Sequence, residues 1–361
     1  MTAPLSVKTV REGRHAGTVA SAAVTLAVIV PGLLWAKWVP YAHKAATLFR
    51  TRRWPGSDIL AVGGVHVGDR PSWHAATTFF QAYLASVWQA LLVALLISAS
   101  VQALTPRAWM QRALNRSGPR RSALAGGTAG MPSMMCACCA APVAVTLRRS
   151  GVNAAGATAF WLANPLLNPA VLIFLVCVAP WQWALTRSVV GVAAVIGVAA
   201  LVEVASRSRQ VAGPAPAGDG RPDKDSPGAV RNWVRAMLWM GTFLLPEYAV
   251  LVLLLGACRG WLLSMMRLAH HGFLVVVIAA VVGTLVVIPT AGEIAILQTM
   301  ALLGVSSATL GALLVTLPAI SIPGAAMVGR SFGWRAVVAA VVGMIGMGLL
   351  GAAAMALLPS R

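Results

Sequence analysis

Residues 150–186 read SGVNAAGATAFWLANPLLNPAVLIFLVCVAPWQWALT, a stretch from Ser150 to Thr186 without one charged side chain. A helix needs about 20 apolar residues to cross the hydrocarbon core of a bilayer, so this stretch can hold a full span with its flanks. The same pattern recurs on both sides. Uncharged runs extend from Ala16 to Ala36, Pro71 to Pro106 and Ser122 to Leu147, then from Leu268 to Gly292, Ile294 to Gly329 and Ala336 to Ser360. Over all 361 residues, 58% are hydrophobic and 10% charged. A soluble domain carries about 25% charged residues because its surface faces water. The composition therefore specifies an all-α integral membrane protein with about eight or nine spans, expected near 17–36, 81–105, 122–147, 153–178, 184–204, 233–257, 272–302, 307–328 and 336–358.

The formal net charge of +19 would suggest nucleic acid in a soluble protein. Here the basic residues are scattered over loops and form no single patch. They read as basic loops held on the cytoplasmic side and in contact with anionic lipid, with no nucleic-acid partner. Lys8, Arg11 and Arg14 precede the first apolar run and imitate a signal peptide, but the run is long and carries Pro31, so a retained helix is expected. A bacterial inner membrane, with multiple passes, is the expected location.

Ser206 to Val230 is rich in Pro, Gly, Asp and Arg and cannot bury enough apolar surface to fold. The expected division is a basic tail at 1–16, a first transmembrane half at 17–205, a hydrophilic linker at 206–230 and a second half at 231–361. The halves are related. An offset of 153 places Gly151-Val152 on Gly304-Val305, Pro165 on Pro318 and Trp181 on Trp334. Each half is expected to carry a Pro-broken helix, around Pro132 to Leu147 and around Pro289 to Leu303. Proline removes a backbone donor, and the freed groups are tolerated at membrane depth only where protein or a wet cavity satisfies them. Paired broken segments in corresponding positions point to a transporter's binding site, although paired kinks in packed helices would leave the same trace.

The sharpest chemical signal is Met131 to Pro142, where three thiols (Cys136, Cys138, Cys139) and three thioethers (Met131, Met134, Met135) fall within nine residues. Thiolate and thioether ligands select soft ions and thiophilic metalloids. Cys136 and Cys139 would share a helical face, with Cys138 pointing elsewhere, whereas an unwound backbone would bring Cys136 and Cys138 together. The bland alternative is that free cysteine packs as a small apolar residue and methionine fills gaps. Only nine acidic residues exist, so Glu293, four after Pro289, and Glu247, after Pro246, stand out inside apolar runs. An ionisable group at membrane depth is a functional candidate by default, here for proton coupling, unless it serves as a partner to an arginine or to freed backbone N–H groups. Asn164, Asn168 and Ser321 are polar groups beside the paired prolines, able to line a pathway or to bond opened backbone. Glu203 lies at a span end and is expected to reach water.

These residues resemble a known family. Pro132…Cys136-Ala137-Cys138…Pro142, then Ser150-Gly151-Val152 and Asn164-Pro165-Leu166…Asn168-Pro169, are similar to the ArsP/YraQ-type permeases. Ile288-Pro289…Gly292-Glu293-Ile294, Gly304-Val305 and Pro318-Ala319-Ile320-Ser321 resemble that family's second repeat. The resemblance covers roughly Tyr83 to Leu350. It implies a permease that exports trivalent organoarsenicals, with Cys136 and Cys138 contacting the arsenic. Ala137 and Cys139 depart from the family's usual serine and glycine, which makes the site softer.

The expectation is thus a metalloid efflux permease of the membrane, not an enzyme, with no cofactor and no catalytic residue. Its thiophilic solute would meet Cys136, Cys138, Cys139, Met135, Asn164, Asn168 and Ser321, and Glu293 and Glu247 would couple protons. No Gly-x-x-x-x-Gly-Lys-Ser/Thr loop is present for ATP. The open alternatives are a Cu(I)-like transporter or binding subunit using Cys136 and Cys138 as metal ligands, and a membrane thiol–disulfide enzyme.

Overall fold

The computed structural model describes residues 23, 25–54, 59–105, 107–207, 228–261 and 272–358. The described residues are helical, and no strand occurs among them. Helix α1 runs Thr25–Thr51. It is followed by α2 (Trp73–Leu104), α3 (Arg107–Leu114), α4 (Pro119–Gly130), α5 (Ala137–Arg149), α6 (Ala154–Leu166), α7 (Pro169–Val178) and α8 (Trp181–Arg207). The second half holds α9 (Gly228–Ala257), α10 (Phe273–Leu285), α11 (Gly292–Leu302), α12 (Ser307–Thr316), α13 (Ile322–Phe332) and α14 (Trp334–Leu357). Among the described residues, five helical stretches are long and apolar enough to cross a bilayer: Thr25–Thr51, Trp73–Gln102, Ala154–Val178, Trp181–Ser206 and Trp334–Leu357. Shorter apolar helices stand between them. The chain is an all-α, multi-pass integral membrane protein.

Four expected spans are corrected. The first extends to Thr51 and does not end at 36, because the helix continues through Lys37 in a π-helical turn, Leu34–Trp38. The span expected at 122–147 is two helices, α4 and α5, parted by a 3-10 turn at Met131–Ser133 and a left-handed Met134 (φ 50°). The span expected at 272–302 is likewise α10 and α11, parted at Val286–Ala291, where Ala291 is left-handed (φ 68°). The one expected at 307–328 is α12 and α13, parted at Leu317–Ser321. The greater part of the linker expected at 206–230, residues 208–227, and the tail at 1–16 lie outside the described residues.

The two halves repeat element by element. Helix α5 ends as Val152 N–H bonds to Leu147 O (3.1 Å), and α11 ends as Val305 N–H bonds to Met300 O (3.1 Å). The residue before each donor, Gly151 (φ 90°) or Gly304 (φ 79°), is left-handed, which closes a Schellman turn at little cost only for glycine. Asn153 then caps α6 and Ser306 caps α12, each accepting a bond from a backbone N–H three residues on. Asn168 caps α7, Ser321 caps α13, and Trp181 and Trp334 open α8 and α14. All these pairs keep the offset of 153. Packing follows the same symmetry: α4 lies on α6 and α8, as α10 lies on α12 and α14. The halves meet through equivalent helices, α2 on α9 and α8 on α14.

Candidate functional site

The site is built on the break before α5. Cys136 is its extended N-cap residue (φ −75°, ψ 166°), while Cys138 and Cys139 lie in the first turn. That change of conformation resolves the two alternatives left open by the sequence. The extended Cys136 swings its sulfur over the helix start, where it meets both other thiols, at 3.0 Å from Cys138 Sγ and 3.1 Å from Cys139 Sγ. All three sulfurs lie within 4.8 Å of one another, and all three residues are buried. Two hydroxyls from the helices joining the halves close the site. The Tyr83 hydroxyl of α2 shares a hydrogen bond with Cys138 Sγ (3.2 Å), and the Tyr248 hydroxyl of α9 donates to it (3.5 Å).

The surrounding frame fixes the broken backbone. Asn164 Oδ1 accepts from the Met135 N–H (3.2 Å) and from the Ser133 hydroxyl, and its Nδ2 donates to Phe160 O (2.8 Å). Trp161, fully buried, donates from Nε1 to Ala137 O (2.7 Å). Polar groups freed at the break are therefore bonded by α6, as membrane depth demands. Asn168 and Ser321 act as helix caps for α7 and α13, with Asn168 Nδ2 left without a partner. Thus Met135 and Asn164 adjoin the thiols, whereas Asn168 and Ser321 mark equivalent second breaks in the two halves.

Glu293 lies in the first turn of α11, buried, with Oε1 2.8 Å from Arg187 Nη1 of α8. Arg187 also donates from Nη2 to Pro165 O (2.7 Å) and from Nε to Leu166 O (3.2 Å). One guanidinium thus joins the end of α6 to the start of α11, using the planar fork that lysine lacks. Glu247 follows Pro246 in α9, and its side chain lies outside the described residues. Glu203 does not simply reach water: it accepts from the Ala155 N–H (2.9 Å) at the start of α6.

Sequence reasoning missed five contributors. Arg187 was legible as a lone charge well inside an apolar helix. Lys37 was hidden by the misplaced end of the first span. It is buried, and donates to the Tyr41 hydroxyl (3.0 Å) and to Thr290 Oγ1 (3.4 Å) in the second break. No carboxylate pairs with it among the described residues. Its neighbour Trp38 donates from Nε1 to Pro132 O (2.8 Å) in the first break. Tyr83 and Tyr248 carried no local motif, since their role depends on where α2 and α9 cross.

The arrangement gathers three soft sulfur donors in one buried place. Comparison with known proteins agrees with this architecture. The family described as Predicted permease, ArsP_1, matches residues 72–356. The chain is 39% identical over 306 residues to UPF0718 protein YraQ of Escherichia coli (strain K12), covering 84% of this chain and 86% of that protein. No solved structure matches. A chain matched over this length, at this identity, and built as two repeats of broken helices belongs to the ArsP_1 permease family and is a membrane transporter.

Proposed function

We propose that the chain moves a thiophilic solute of the trivalent organoarsenical kind out of the cell, and that the solute passes through the cluster of Cys136, Cys138 and Cys139. The observation that carries this reading is the convergence of three buried sulfurs within 4.8 Å at a helix break. Filler cysteines have no reason to converge, and soft sulfur donors are the ligands that trivalent arsenic and Cu(I) prefer. A second break, with Thr290 reached by Lys37 and Glu293 reached by Arg187, stands in the equivalent place of the other half. Relative motion of the halves would open and close the sulfur site, with Glu293 exchanging its proton or its partner as they move. A proton gradient is the proposed driving force.

The test is uptake of trivalent methylarsenite and of Cu(I) by everted membrane vesicles. Wild type is compared with Cys136→Ala, Cys138→Ala and Glu293→Gln, with and without an imposed proton gradient. Gradient-dependent methylarsenite uptake that is lost in both cysteine variants is the expected result. Uptake of Cu(I) alone would reassign the solute. Uptake unchanged in both cysteine variants would overturn the sulfur site.

A further inference from the structure

We infer that Cys139 makes the cluster a three-sulfur site, suited to a pyramidal solute of the M(OH)3 type such as arsenite or antimonite, in addition to solutes that carry one carbon and two exchangeable groups. The inference rests on the sulfur site proposed above and names its coordination number.

Geometry comes first. Cys136 Sγ sits between the other two sulfurs, at 3.0 and 3.1 Å, and the third pair also lies within 4.8 Å. Metal–thiolate bonds are about 2.3 Å long, so a pyramidal centre with angles near 90–100° holds its sulfurs about 3.3–3.5 Å apart. A bound atom would spread the two closest pairs by a few tenths of an ångström, to about 3.3–3.5 Å, and set the third pair at the same distance. The chain order assists this. Cys138 and Cys139 are fixed in the first turn of α5, while Cys136 lies on extended backbone just outside it and can adjust. Met135 Sδ is not needed to complete the set.

Charge then decides between soft centres. With three neutral thiols the exchange is M(OH)3 + 3 RSH → M(SR)3 + 3 H2O. Three M–O bonds break, three M–S bonds form, each thiol proton leaves with a hydroxide as water, and no electron changes hands. The product is uncharged, so a buried site bears no new desolvation cost. Cu(I) held by three thiolates would carry two net negative charges in the same buried site. Burying that imbalance is costly. A solute with two exchangeable groups would use two sulfurs and leave the third as a thiol.

The experiment is arsenic X-ray absorption on the full chain in lipid nanodiscs, loaded with arsenite or with methylarsenite, for wild type and Cys139→Ser. Arsenite on wild type is expected to show three sulfurs per arsenic, and on Cys139→Ser two sulfurs and an oxygen with affinity lowered by ~100-fold, the order of advantage lost with one tethered ligand. Methylarsenite should show two sulfurs in both proteins, and an unchanged thermal melting profile in the absence of arsenic is the check that Cys139→Ser is folded. Two sulfurs for arsenite in wild type, with methylarsenite still bound by two, would overturn the inference and leave the sulfur pathway standing. No arsenic–sulfur signal with either compound would overturn both.

Discussion

Arg187 and Glu293 stand 106 positions apart in the chain, yet their side chains meet at 2.8 Å, both buried, across the boundary between the halves. The guanidinium faces two ways, since it also takes the carbonyls of Pro165 and Leu166. Removing one member of a buried pair leaves an uncompensated charge, which costs about 3–5 kcal/mol. Glu293→Gln should therefore lower the melting temperature in detergent, and Arg187→Met/Glu293→Met should recover part of the loss. The reversed pair, Arg187→Glu/Glu293→Arg, should not recover it, because a carboxylate cannot donate to the α6 carbonyls. Full rescue by reversal would show that the pair acts through charge alone.

Lys37 presents the opposite case. A buried ammonium that meets two hydroxyls and the Tyr41 ring but, among the described residues, no carboxylate is held at a cost, and such costs collect where function needs them. Lys37→Met should raise thermal stability, by about 1 kcal/mol or more, while lowering solute uptake in vesicles. A variant that loses both stability and uptake would make Lys37 a structural residue.

The two tyrosines test the sulfur site without touching sulfur. Tyr83→Phe and Tyr248→Phe each remove one hydroxyl from Cys138 and nothing else of size. A typical hydrogen bond contributes about 0.5–1.5 kcal/mol, so methylarsenite affinity should change by roughly two- to tenfold in each. Titration of the purified variants with methylarsenite checks this, and no change in either would remove the hydroxyls from the site.

Close helix contacts give a stability prediction that is independent of transport. A methyl added at Gly126 of α4 would run into the backbone of Gly156 in α6, whereas one at Gly346 of α14 would meet nothing within 4 Å. Gly126→Ala should cost about 1–3 kcal/mol through overpacking. Gly346→Ala should be neutral or stabilising by up to about 1 kcal/mol, since alanine is the better helix former. Equal melting temperatures for the two variants would contradict the α4–α6 contact.

What the sequence made legible follows from which signals are local. The repeat could be read from Gly151-Val152, Gly304-Val305, Trp181 and Trp334 because a Schellman turn and a helix start each impose a residue at a fixed place. The clustering of the three cysteines could be read because they sit within one turn. Arg187 with Glu293, and Tyr83 and Tyr248 with Cys138, could not, because their partners are set by how distant helices cross. The position of α1 was lost for a different reason. A charge was taken to end a span, but Lys37 and Lys44 lie inside one, with Lys44 placed 3.7 Å from the Trp54 ring centroid in a cation–π contact.

Lys37 and Trp38 are adjacent, yet one reaches the second break at Thr290 and the other the first break at Pro132. The helix that carries them lies before residue 72, where the match to the family model begins. The π-helical turn at Leu34–Trp38 is the local distortion in which both residues sit. The two repeats consequently do not face each other unaccompanied: a strap from elsewhere in the chain is buckled to both at once. Any rocking of one repeat against the other must either unfasten one buckle or drag the strap along, so this helix sets how far the repeats can part.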